Sequence, residues 1–111
     1  MKFNNIQLII FILISNLGFA QSFYIDNENG NDQNNGNSIT TAWKSLNRVN
    51  SEIFKPGDSI LFKRDGKWVG TMMPKGNGAI NDKIVIGTYG NGKAPIIDAE
   101  GRLKAAIYIR I

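Results

Sequence analysis

The amino-acid sequence predicts an all-β fold in which short parallel strands coil into a solenoid. Three similar apolar stretches, at residues 60–62, 84–86 and 107–109, begin 24 and then 23 residues apart. A near-constant repeat of this length is typical of solenoids, because each unit buries its apolar side only against its neighbours. Gly- and Asn-rich segments lie between the stretches, as turns between strands require.

The first 20 residues are expected to be a secretory signal peptide. Lys2 precedes an almost continuous apolar run at residues 6–14, and the Gly-Phe-Ala sequence at 18–20 places small residues where a signal peptidase cleaves. A membrane anchor is the alternative, but the run is shorter than the roughly 20 apolar residues that a bilayer requires. The predicted domains are therefore a signal peptide at 1–20 and a mature segment at 21–111.

Composition limits the chemistry of the mature segment. Lys2 is the only charge among the first 20 residues, so 12 basic and 9 acidic side chains remain, a net charge of +3. This scattered excess of basic residues suits an anionic partner, whereas the basic runs typical of nucleic-acid binding are missing.

The sequence contains no His and no Cys, which excludes a His acid or base, the usual zinc sites and a Cys nucleophile from these residues. Small secreted domains often depend on disulfides, so their absence predicts a fold that continues beyond Ile111.

A short β-rich run at residues 23–25 is followed by a polar loop at 26–38 that is dense in Asp and Asn. That density raises calcium binding as a hypothesis. EF-hand spacing fails, because placing Gly36 at the sixth position puts Asn31 first and Ala42 where the bidentate Glu should be. The loop is therefore predicted to be structural, since Asx side chains favour turns by bonding their own backbone.

An amphipathic helix is predicted next, with Thr40 or Thr41 as its N-cap. Its apolar face is formed by residues three and four positions apart: Trp43, Leu46, Val49 and Ile53. A helix of this kind ahead of repeating strands is suited to cap the open end of a solenoid. Docking of a partner is the alternative use of the apolar face.

The remaining strands are predicted at 59–63, 67–72, 84–89, 96–99 and 106–111. Turns at residues 56–58 and 64–66 contain Pro-Gly-Asp and Arg-Asp-Gly. Alternation places Ile84, Ile86 and Ile107 inside and Val85, Tyr108 and Arg110 outside, where mixed side chains can meet a ligand. A β-sandwich would also alternate, but it leaves the long repeat unexplained.

Several short motifs occur in a fixed order along the chain: Gly-Asn-Asp at 30–32, Ala-Trp-Lys-Ser-Leu at 42–46, Pro-Gly-Asp before an apolar strand, and Tyr-Gly-Asn-Gly at 89–92 followed by Pro-Ile-Ile-Asp. With these motifs the chain resembles the N-terminal end of secreted bacterial proteins of the pectate-lyase-like superfamily. The resemblance implies an all-β right-handed parallel β-helix (solenoid) with an N-terminal capping α-helix, truncated after the first coils. It also implies a polysaccharide partner, with calcium as a candidate cofactor of the complete protein.

The activity is predicted only by class. Proteins with this opening include polysaccharide lyases and glycoside hydrolases, so an enzyme acting on an acidic polysaccharide is the first hypothesis, and a non-catalytic carbohydrate-binding or cell-surface protein is the alternative. Their catalytic groups are expected beyond Ile111, so no catalytic or cofactor-binding residue is assigned, and no metal ligand is identified.

Asp58, Asp65 and Asp98 are interpreted as turn residues. Trp43 and Trp68 could stack on sugar rings, but burial in the core is favoured for both. The expected protein is secreted or periplasmic, and monomeric.

Overall fold

The computed structural model describes residues 19–100 and 107–108. Within these ranges the chain forms eight short strands, one 3-10 turn and one α-helix. In chain order they are β1 (Ser22–Ile25), the 3-10 turn (Ile39–Thr41), α1 (Leu46–Ser51), β2 (Ile53–Phe54), β3 (Ser59–Lys63), β4 (Lys67–Val69), β5 (Lys75–Gly76), β6 (Val85–Tyr89), β7 (Ile96–Asp98) and β8 (Ile107–Tyr108). In the described ranges no helix is long and apolar enough to cross a membrane.

The strands form three small sheets. The first has the order β1-β3-β6 with parallel pairing, the second pairs β2 with β5 in parallel, and the third has the order β4-β7-β8. In the third sheet β4 and β7 are parallel, whereas β7 and β8 are antiparallel.

One buried hydrophobic cluster connects the sheets with the helix. Alternation along β1 and β3 sends Phe23, Ile25, Ile60 and Phe62 into this core. Its other members come from the helix region and the remaining strands: Trp43, Leu46, Val49, Phe54, Trp68 and Ile97. Phe23 stacks on Trp43 at a centroid distance of 4.9 Å, and Phe62 meets Trp68 edge-on at 5.0 Å.

The predicted fold class is wrong for the described chain. We expected an all-β right-handed parallel β-helix solenoid with an N-terminal capping α-helix, truncated after the first coils. The structure instead has three sheets of short strands, its helix contains only six residues, and β8 runs antiparallel to its neighbour. An antiparallel strand breaks the uniform parallel stacking that a coiling solenoid needs, and a six-residue helix has too little apolar surface to cover a sheet end.

The observed strand pairing does not follow the spacing of the sequence repeat. Ile60 faces Ile86, 26 positions away, and the segment around Ile107 pairs with β7 rather than with β6. Side chains alternate with a period of two, so a two-residue shift leaves the inward and outward faces unchanged. The alternation of apolar residues therefore predicts which side chains of β6 lie on the same side of the sheet as Ile60, but it does not predict which residues pair.

The helix begins later than predicted. Ser45 is the N-cap of α1 and its hydroxyl accepts the Arg48 N–H at 3.1 Å, whereas Ser38 caps the preceding 3-10 turn. Trp43 lies before the helix and bridges to Ile25, and Ile53 lies after it in β2 with 68% of its surface exposed. Of the predicted apolar face, only Leu46 and Val49 are buried helical residues.

Candidate functional site

The outward side of the first sheet carries a cluster of aromatic and charged side chains. Tyr24 on β1, Leu61 and Lys63 on β3 and Tyr89 on β6 alternate with the core residues and are half-buried. Asp26 follows β1 directly and contacts Lys63. We call these five residues the Tyr24–Tyr89 face.

The two tyrosines form an aromatic pair across the middle strand. Their ring centroids are 5.1 Å apart and their planes are nearly perpendicular, at 89°. The Tyr89 hydroxyl lies 3.5 Å from the Ile25 carbonyl oxygen. Burial, together with the negative charge of Asp26 and the proximity of Tyr24, raises the pKa of Tyr89 to about 12. Tyr89 therefore keeps its proton at physiological pH and can donate a hydrogen bond beside an apolar ring.

Lys63 and Asp26 form an ion pair at the edge of this face. The Lys63 Nζ is 3.4 Å from Oδ2 of Asp26, whose side chain is only 7% exposed. Oδ1 of Asp26 accepts the backbone N–H groups of Glu28 and Asn29 at 2.9 and 3.0 Å. Burial alone would raise the pKa of Asp26, but these N–H groups and Lys63 outweigh it and lower the pKa. The carboxylate thus stays ionised and neutralises the lysine.

The carboxylates of the other acidic residues considered from sequence accept backbone N–H groups. Oδ1 of Asp65 accepts the Lys93 N–H at 2.8 Å, and Oδ1 of Asp98 accepts the Glu100 N–H at 2.9 Å. Asp58 accepts the N–H groups of Gln21 and Lys55. Asp65 lies in a turn and Asp58 directly follows one, which confirms their interpretation, whereas Asp98 is the last residue of β7 and bonds the segment that follows the strand.

Asp32 ties the polar loop at 26–38 to the segment that precedes α1. Asp32 accepts hydrogen bonds from the N–H groups of Lys44 and Ser45 and from the Ser45 hydroxyl. Across residues 19–100, no group of three or more acidic side chains is arranged to hold a metal ion. Calcium as a candidate cofactor of the complete protein stays a prediction.

Both tryptophans belong to the core, as predicted. Trp43 is fully buried and its indole N–H donates to the Asn34 carbonyl at 2.8 Å, while Trp68 is 5% exposed and donates to the Lys44 carbonyl at 2.8 Å. Neither ring is available for stacking on a sugar. Sequence reasoning did not single out Tyr24 and Tyr89, although their outward positions on alternating strands were the signal that could have found them.

Two solved structures of a GH136 lacto-N-biosidase from Eubacterium ramulus are similar to this chain. The native form matches with a TM-score of 0.58 and 30% identity over 68% of this chain and 12% of that enzyme. The selenomethionine form matches with a TM-score of 0.59 and 25% identity over 87% of this chain and 18% of the enzyme. No family model matches the chain, and a search of curated proteins found no match.

These comparisons define a class rather than a particular protein. The similar structures belong to a carbohydrate-active enzyme, and the chain spans less than a fifth of its length. They do not confirm membership of the pectate-lyase-like superfamily, which the motifs resemble.

Proposed function

We propose that this chain is part of a carbohydrate-active protein related to glycoside hydrolases. The observation that carries this proposal is the structural similarity to the lacto-N-biosidase, at 30% identity over 68% of the chain. Of the two enzyme classes that the sequence suggests, the same observation favours a glycoside hydrolase over a polysaccharide lyase. The carboxylates of Asp26, Asp32 and Asp58 are engaged by backbone N–H groups, so we assign none of these three as the catalytic acid or base.

A neutral glycan is a better substrate for this protein than the acidic polysaccharide expected from composition. On the Tyr24–Tyr89 face, Lys63 is paired with Asp26, so the ion pair contributes no net charge. The tyrosine rings can cover the apolar C–H side of a sugar ring, and the phenolic hydroxyls and the ammonium group can bond its hydroxyls. A uronate would need an unpaired cation instead.

A survey of sugar release by the full-length natural protein tests the proposal. Oligosaccharides that end in lacto-N-biose, other neutral glycans, oligogalacturonate and alginate would each be incubated with it. We expect a new reducing end from a neutral glycan and no unsaturated uronate from the acidic ones. An unsaturated product would contradict the hydrolase assignment.

The non-catalytic alternative is a carbohydrate-binding or cell-surface protein. The observation that favours it is the Tyr24–Tyr89 face itself, which offers aromatic and polar contacts without a free carboxylate pair. Binding of neutral glycans without release of any sugar in the same survey would establish this alternative.

We further propose that the protein is exported and that its first 20 residues are removed. The support is the sequence pattern of Lys2, the apolar run and the small residues at 18 and 20. Residues 1–18 lie outside the described residues. Mass spectrometry of the natural protein should find Gln21 at its N-terminus, and retention of Met1 would contradict export.

A further inference from the structure

Asp58 is a buried carboxylate that forms no ion pair with a lysine or arginine of residues 19–100. The residue is 2% exposed, and its two carboxylate oxygens accept the N–H groups of Gln21 at 2.9 Å and Lys55 at 2.8 Å. The lysines and arginines of residues 19–100 form three ion pairs, none of them with Asp58. Burying an ionised carboxylate is costly unless an opposite charge accompanies it, so this site calls for a positive group.

The residue that bonds Asp58 is also the one that follows the predicted cleavage site. The Gln21 carbonyl accepts the Ser59 N–H at 2.9 Å, which aligns Gln21 with the start of β3 and holds its nitrogen against Asp58. Ala20 is exposed and Phe19 is 74% exposed, so the bond between Ala20 and Gln21 lies at the surface.

We propose that cleavage between Ala20 and Gln21 supplies the missing cation, and that the α-ammonium group of Gln21 pairs with Asp58 in the mature protein. The inference rests on the export proposed above. A signal peptidase adds water across the peptide bond: the C–N bond breaks, the hydroxyl goes to the Ala20 carbonyl carbon and the proton goes to the Gln21 nitrogen. The resulting amine then takes up the proton that the new Ala20 carboxylic acid releases, which leaves a carboxylate on Ala20 and an ammonium group on Gln21. That nitrogen keeps its contact with Oδ1 of Asp58, and a hydrogen bond from an uncharged N–H to the carboxylate becomes an ion pair.

The pair also protects the new N-terminus chemically. An N-terminal glutamine cyclises when its free amine attacks its side-chain amide carbon and expels ammonia. Only the unprotonated amine has the lone pair for this attack. Asp58 stabilises the protonated amine, so it slows the cyclisation.

The rate of cyclisation in the mature natural protein tests this pairing. Loss of ammonia from the N-terminal peptide would be followed by mass spectrometry in the wild type, Asp58→Asn and Asp82→Asn. Asp82 is a matched control, because it is an exposed aspartate whose backbone carbonyl accepts the Gly57 N–H near the same turn. We expect several-fold faster cyclisation in Asp58→Asn and wild-type behaviour in Asp82→Asn.

A second comparison leaves Asp58 intact, since this residue also holds the Lys55 N–H. Protein that begins at Gln21 is compared with protein that retains Ala20, whose amine is displaced by about 3.8 Å along the chain. The Gln21 form should have the higher Tm, and the difference should vanish in Asp58→Asn.

Three results would overturn the inference. A natural N-terminus other than Gln21 would contradict both the proposed cleavage after Ala20 and the pairing of Gln21 with Asp58. An N-terminus at Gln21 that is already cyclised in the freshly isolated protein removes the pairing alone. Equal cyclisation rates in wild type and Asp58→Asn, with equal Tm values for the Gln21 and Ala20 forms, do the same.

Discussion

The carboxylate of Asp32 holds Ser45 by both its backbone N–H and its hydroxyl, at 2.9 and 2.6 Å, across thirteen positions of the chain. Ser45 in turn is the N-cap of α1. The polar loop therefore determines where the helix begins, because Asp32 orients the residue whose hydroxyl accepts the Arg48 N–H, one of the unpaired N–H groups of the first helical turn.

Replacing Asp32 should unfold the junction between this loop and α1. Asp32→Ala removes three hydrogen bonds to a carboxylate and should lower the free energy of unfolding by about 1–3 kcal/mol. Urea unfolding followed by circular dichroism measures the change. Glu28→Ala, in the same loop but exposed, should have almost no effect. Equal losses in both variants would show that the carboxylate has no special role.

The burial of Trp43 predicts a larger loss. Its ring is fully buried against Phe23, and its indole N–H satisfies the Asn34 carbonyl. Trp43→Ala should destabilise the protein by about 3–5 kcal/mol, as for other buried aromatic residues. Lys44→Ala, at the exposed neighbouring position, should be almost neutral. Thermal unfolding of the two variants compares them directly, and small effects from both would contradict the packing described for Trp43.

Acid should destabilise the protein through Asp26 and Asp32. The pKa of each is below its ordinary value of 3.8 in the folded chain, although burial opposes the shift. Their contribution to stability is present above that value and is lost as the pH falls through the lower folded pKa. The loss of stability below about pH 4 should be shallower in Asp26→Asn and shallowest in the double variant with Asp32→Asn. An unchanged pH profile in the double variant, measured by urea unfolding, would exclude this linkage.

Strands with a clear alternating pattern were predictable from sequence. The segments at 59–63 and 96–99 coincide with β3 and β7 to within one residue, because alternation over several residues is a local signal. β2 and β5 were missed, since each has two residues and exists only through pairing with the other. A two-residue strand has no periodicity of its own to detect.

The helix region shows where local reasoning was insufficient. Trp43 has a helical spacing to Leu46, yet its backbone bonds to Tyr24 and Asp26 in the manner of a strand. Spacings of three and four residues do not exclude this geometry. The true cap, Ser45, is selected by a contact with Asp32 that only the folded chain makes. The contact between Tyr24 and Tyr89 could not be predicted either, because it depends on the order of the strands in the sheet.

The edge of the first sheet predicts self-association of the isolated segment at residues 21–111. Phe23, Ile60 and Ile86 occupy one row across β1, β3 and β6, but Ile86 is 41% exposed whereas Phe23 and Ile60 are 6% and 0% exposed. β6 is also the edge strand of this sheet, and no described strand pairs with its outer side, so a second copy of the chain can pair there.

Sedimentation velocity should detect concentration-dependent association, and Ile86→Lys should reduce it by placing a charge in the apolar row. Val85→Lys is the matched control, since Val85 is 50% exposed on the same strand but faces the opposite side. A monomer at all concentrations, or an equal effect of the two variants, would show that this row does not drive association.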